Sequence, residues 1–174
     1  MARWEFEPGH SAAEFCVRHM MVTWVRGHFK DIHGSLEFDP DNPATLSVTV
    51  EIAARKLWTG EPQRDEHLRS ADFLDVANYP EITFKSTRIT GDKSNFKLTG
   101  NLTIRGVTRE VTLDVTNEGT TKDPWGGDRV AFSATTKLDR REFGLTWNQA
   151  IEAGGVLVGN DVKVSIDVQA VKQA

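Results

Sequence analysis

What the 174-residue chain lacks narrows its chemistry before anything present is considered. It has one cysteine, Cys16, so no disulfide can form within it and the paired-thiolate zinc frameworks are excluded. Lys and Arg number 21 against 25 Asp and Glu, a formal net charge of −4, which lacks the basic excess of a general nucleic-acid binder. No run reaches the length of apolar residues that a membrane-spanning helix needs. The N-terminus, Met1-Ala2-Arg3-Trp4-Glu5-Phe6-Glu7-Pro8, carries no apolar signal segment, which predicts a cytoplasmic protein. The histidines (His10, His19, His28, His33, His67) show no H-E-x-x-H spacing, so no metal is expected. Asp39-Pro40-Asp41-Asn42 begins like a calcium loop, but Ala44 and Val50 stand where its glycine and bidentate glutamate belong. Cys16 and His19 are close in sequence, yet no orienting group surrounds them as a nucleophile would require.

What remains is alternation. At this length and with 39% hydrophobic residues the chain reads as one domain over residues 1–174. Apolar residues recur every second position in one segment after another, the mark of half-buried strands: Ala13/Phe15/Val17, Leu46/Val48/Val50/Ile52, Phe96/Leu98/Leu102/Ile104, Val111/Leu113/Val115 and Val162 to Ala170. Phe29 falls on odd parity while Ile32, Gly34, Leu36 and Phe38 are even, so a bulge near Lys30-Asp31 is expected. Turn chemistry separates the segments at Pro8-Gly9, Asp39–Pro43, Gly91–Ser94, Arg105-Gly106 and Asp123–Gly127. The apolar His19–Val25 segment predicts a turn or short helix tucked against the core, and Asp139–Gly159, with Ile151, reads as irregular.

One stretch departs from the pattern. Pro62 suits a first helical position, and Leu68, Ala71 and Leu74 recur every three residues before Tyr79-Pro80 forces extension. A short helix among eight or nine strands predicts a lid over one end of an antiparallel sheet, and closure into a barrel is the simplest way to remove the edges. Inward positions mix Phe15, Phe84 and Phe132 with the small residues Ala13, Gly34, Gly100 and Ala134, which predicts a tube. The charged groups Arg64, Asp65, His67, Arg69 and Asp139, Arg140, Arg141 have two readings: a salt-bridge network that fixes the lid, or a polar mouth meeting the head group of an apolar ligand.

Seven motifs, in order along the chain, resemble the YceI-like family of bacterial lipid-binding proteins. They are His10-Ser11 before Phe15; Arg18-His19-Met20-Met21-Val22; Val25-Arg26-Gly27 with Phe29; Arg64-Asp65, His67–Ser70 and Asp72-Phe73; Tyr79-Pro80 with Ile82, Phe84 and Ser86; Gly100 with Leu102–Gly106; and Arg140 with Phe143–Leu145, Trp147 and Asn148. The resemblance implies an all-β, extended, eight-stranded antiparallel lipocalin-like barrel with a short helix capping one end. It also implies a polyisoprenoid, isoprenoid quinone or similar lipid as ligand, a homodimer and no catalysis. The expected tube positions are Phe15, Val17, Met20, Phe29, Leu36, Val50, Phe73, Phe84, Leu98, Gly100, Leu102, Phe132, Phe143 and Trp147, with His19, Arg64, Asp65 and His67 at the polar mouth. Burying several hundred square ångströms of isoprenoid at about 25 cal/mol per Å² yields on the order of 10 kcal/mol before ordering costs, so shape suffices and no catalytic constellation is needed. Two rival readings are an enzyme using His19, His67 or Asp65 as acid–base groups, and an interaction module with a filled interior.

Overall fold

The computed structural model describes residues 2–39, 41–149 and 155–174. Among these residues ten antiparallel strands run in chain order as β1 (Ala2–Phe6), β2 (Ala12–His19), β3 (Thr23–Lys30), β4 (His33–Asp39), β5 (Asn42–Ala53), β6 (Glu81–Gly91), β7 (Asn95–Ile104), β8 (Val107–Lys122), β9 (Asp128–Asp139) and β10 (Val158–Lys172). Among the described residues there is one α-helix, α1 (Pro62–Arg69), between β5 and β6.

These ten strands fill eight positions around a closed barrel. From β4 to β10 each strand pairs with its sequence neighbour, up to β9 and β10 side by side. The free edge of β10 then meets two strands end to end: β2 along its first half (Val164 opposite Phe15, Ile166 opposite Ala13) and β1 at its end (Ala170 opposite Phe6). Between them the chain makes a 3-10 turn at Pro8–His10, and buried Ser11 stands in for the interrupted ladder. Its hydroxyl accepts from Gln169 N–H at 3.2 Å and donates to the Gln169 carbonyl at 3.4 Å. β3 and β4 share the next position, and the expected parity change is there as a break: Asp31 turns at φ 56 and Ile32, 1% exposed, plugs the gap. The turn at Asp39–Pro43 includes Pro40, and the apolar Ile151 also lies outside the described residues.

One end is shut by aromatic rings from four strands. Trp4, Phe38, Phe132 and Phe96 are all buried, with successive centroids 6.4, 5.9 and 6.2 Å apart. Phe38 and Phe96 both meet Phe132 edge-on, the arrangement ring quadrupoles favour. The other end carries α1 and the turns that follow it. Pro62 occupies the first turn and Glu61 caps it by accepting from Gln63 N–H. The helix ends at Arg69, earlier than the spacing of Leu68, Ala71 and Leu74 predicts, because the Ser70 hydroxyl donates to the His67 carbonyl at 2.6 Å. Ala71 is consequently exposed, while Phe73 and Leu74 reach the interior from the turn beyond.

A second departure is the β2–β3 connection. The segment expected to tuck inward is an exposed hairpin tip, with Met20 46%, Met21 61% and Val22 73% exposed. Alternation fixes β2 and β3 but not the cover of the turn that joins them, where among the described residues Met21 lies against Gly155.

Candidate functional site

Inward side chains of β10 alternate with exposed ones as expected, yet Val162, Val164, Ile166 and Val168 are only half-buried. The reason is an internal cavity of about 570 Å³ that they line. Val158, Val162, Val164, Ile166 and Val168 all bound it, across roughly 33 Å of strand and about 25 Å of bore at ordinary barrel tilt. Toward the shut end the walls are Phe6, Leu36, Leu46 and Phe132; toward the lid they are Val17, Val25, Leu157 and Trp147. The volume is within the roughly 300–1,000 Å³ of small-molecule sites.

Every tube position named from the sequence lines this cavity except Met20 and Gly100. Met20 lies at the exposed hairpin tip, outside the bore. Gly100 lies in phase with Leu98 and Leu102, but the Phe84 ring is seated on it: a Cβ there would stand 2.5 Å from both that ring and the Lys85 carbonyl. Gly34 under Phe6 and Gly27 under Phe15 repeat the device. The small residues expected to leave gaps therefore divide: Ala13 and Ala134 face the cavity, while glycines let aromatic rings lie close against the wall. Sequence reasoning left out the β8 and β10 lining (Val111, Leu113 and Val115; Val162, Val164, Ile166 and Val168), whose alternation was the available signal.

At the lid end, His19, Arg64 and His67 line the cavity and Asp65 does not. Asp65 is 5% exposed and committed to Thr59, accepting from its N–H at 3.0 Å and from its hydroxyl. Arg64 donates to the same hydroxyl at 2.7 Å and to the Thr59 carbonyl at 2.8 Å. His67 Nε2 lies 2.8 Å from Asp72, and its ring meets Phe73 and Trp147 edge-on at centroid distances of 5.1 and 4.6 Å. Among the described residues the lining includes Arg64 and Arg140 but a single carboxylate-bearing residue, Glu14; Arg18 also borders the wall but lays its guanidinium over Trp24.

Among the described residues the charged groups form separate pairs (His67–Asp72, Arg69–Glu66 and Arg141–Asp139) rather than one network joining the lid to the rim. Arginines instead hold irregular backbone by donating to carbonyls: Arg69 to Arg55 and Leu57, Arg105 to Gly144 and Ala71. Arg140, 5% exposed, donates to the carbonyls of Gly159, Leu145, Trp147 and Val158 at 2.7–3.3 Å. Burial lowers its pKa from the ordinary guanidinium value, against the opposing charge of Asp139. Asp139 itself pairs with Arg141, whose side-chain hydrogen bond holds the carboxyl below the usual range. Loops leaving a barrel carry orphaned carbonyls, and a five-donor fork satisfies several at once.

The YceI-like domain model matches residues 4–170. The chain belongs to the YceI-like family. A UPF0312 protein of Enterobacter sp. (strain 638) is 44% identical over 140 residues, 80% of this chain and 73% of that one. The crystal structure of the Campylobacter jejuni YceI protein superposes with a TM-score of 0.78 at 30% identity, covering 90% of each chain. A polyisoprenoid binding domain from Saccharophagus degradans shares the fold (TM-score 0.70 over 98% of each chain) at 12% identity. This YceI-like chain thus has the closed eight-position barrel its motifs imply, and no described helix is long and apolar enough to cross a membrane.

Proposed function

We propose that this YceI-like protein binds one long-chain amphiphilic lipid of the polyisoprenoid or isoprenoid-quinone class, holding it for transport or storage without transforming it. The apolar tail occupies the bore, and the polar head sits at the lid end near Arg64, His67 and His19. The observation that carries the reading is the half-burial of the inward β10 side chains: they face a long apolar space that no described side chain fills. At about 0.8 kcal/mol per buried methylene, a tail of some ten carbons contributes roughly 8 kcal/mol before ordering costs.

Family membership and the polyisoprenoid-binding barrel of the same fold support the ligand class. The acid–base alternative finds less to work with, since Asp65 is bound to Thr59 and His67 to Asp72 at an exposed edge. Native mass spectrometry, with organic extraction of protein purified without added lipid, tests the proposal. A long-chain lipid at one per chain is expected. Protein that is consistently empty, and that takes up neither a polyprenyl phosphate nor a quinone, sinks it.

A further inference from the structure

The hairpin between β2 and β3 breaks two local rules at once. Its turn places Met20 and Met21 at φ 53 and 63, with Val22 N–H closing onto the His19 carbonyl at 3.2 Å. Two positive-φ residues in a hairpin turn call for Asn-Gly or a similar pair, and long side chains are strained there. The same residues, with Val22 and with Val156 at 37% exposure, form an apolar tip directed into solvent. Strain and exposure together mark a segment kept for something other than stability.

The surroundings indicate what. On the outer face behind the tip, Trp24 lies between Arg18 (4.1 Å to the ring centroid) and Lys163 (4.7 Å). Arg26 is in register with Cys16, which pairs on its other side with Lys163. Among the described residues none of these three cations has a carboxylate within salt-bridge distance, although the chain is net negative. Trp58, 53% exposed, stacks on His28, which lies further along β3 from the tip than Arg26. Next to the apolar tip, Trp24 with Arg18 and Lys163, and then Arg26, set an interfacial indole among cations that have no described carboxylate partner, the combination an anionic bilayer surface calls for. The tip also adjoins the bore. His19 and Val25 line the cavity, and Met20 N–H donates at 2.8 Å to Leu157, which lines it too.

We propose that the β2–β3 hairpin docks the barrel mouth on an anionic phospholipid bilayer, the surface from which ligand enters the bore. The docking half stands on the hairpin alone; the entry half rests on the bore being the lipid site. The test is flotation with phosphatidylcholine vesicles with and without phosphatidylglycerol, combined with uptake of a fluorescent polyprenyl chain from those vesicles. Wild type is expected to float with the anionic vesicles and to be released by salt. Met20→Asn with Met21→Gly supplies the residues the turn prefers, so it should raise Tm while weakening vesicle association at least tenfold. Arg18→Gln with Lys163→Gln should weaken it and flatten the salt dependence. Trp125→Ser, which removes an exposed indole from the β8–β9 loop, should change nothing. Flotation that is absent, or equal in all variants, overturns the proposal. So does a wild-type dimer that the hairpin variant converts to monomer without any vesicle binding, because the tip then covers a second copy. Docking without uptake leaves the hairpin assignment standing and counts against the bore.

Discussion

Ala134→Phe separates a hollow barrel from a filled one more cleanly than any truncation. Ala134 lies on β9 opposite Val115 and Ile166, faces the cavity, and is only half-buried. In a packed interior the added ring would force neighbours off their rotamers at a cost of about 1–3 kcal/mol. For a domain of this size that lowers Tm by roughly 2–12 °C. In an open bore the ring displaces no protein atoms and gains part of the approximately 1.5–3 kcal/mol of burying a Phe side chain. Stability of the lipid-free protein should therefore hold or rise by a few degrees. The ring takes the place of about four methylene groups of a ligand, so affinity should fall by about 3 kcal/mol, near 200-fold. Differential scanning fluorimetry on delipidated protein and titration with a fluorescent polyprenyl chain measure the two effects. A Tm that drops while binding is untouched would refute the hollow-barrel reasoning.

Three further outcomes follow from the same geometry. Arg140→Met removes the side-chain donor from the part-buried carbonyls of Gly159, Leu145 and Trp147, while Val158 keeps Asn148, and at about 1–3 kcal/mol for each group left unpaired it should destabilise by several kcal/mol in urea unfolding. Gly100→Ala drives a Cβ against the Phe84 ring and the Lys85 carbonyl, so a loss of about 1–3 kcal/mol is expected; a neutral result would show that Phe84 does not sit there. The Asp123 carboxyl is held below the usual range first by the Gly127 N–H, then by Arg129 and the Trp125 N–H, against desolvation. Its folded value is depressed, so its contribution is complete above about pH 5 and is lost as pH falls below about 3.9 toward that lower value. Amide exchange at Trp125 and Gly127, corrected for intrinsic rate, should accelerate only in that acid window, and Asp123→Asn should abolish the step.

Strand positions were readable because period-two alternation is a local property. Arg105-Gly106 falls between β7 and β8, and the parity change at Asp31 is real. Three things were not readable. A pattern of alternation does not say whether an apolar turn such as Met20–Val22 is covered, since that depends on what lies beyond the barrel end. Nor does it say which inward glycine opens space, because Gly100 and Ala134 share a phase and only the Phe84 ring distinguishes them. Finally, a cluster of charges invites pairing by sign, whereas Arg140 and Arg105 answer to carbonyls that become orphans only once the loops have folded. The part of the site set by strand phase was therefore legible, and the part set by loop closure was not.

The ring is completed by a very short seam. Trp4, Glu5 and Phe6 lie opposite Lys172, Val171 and Ala170, and Gln173 N–H reaches the Arg3 carbonyl at 2.8 Å. A ribosome must finish nearly the whole polypeptide before that zipper can fasten, and loops closed over such separations form slowly. Until then the growing molecule is an unrolled sheet whose greasy side faces water and whose borders can recruit other chains. Deleting the last few residues should accordingly injure solubility far more than their small share of the wall implies.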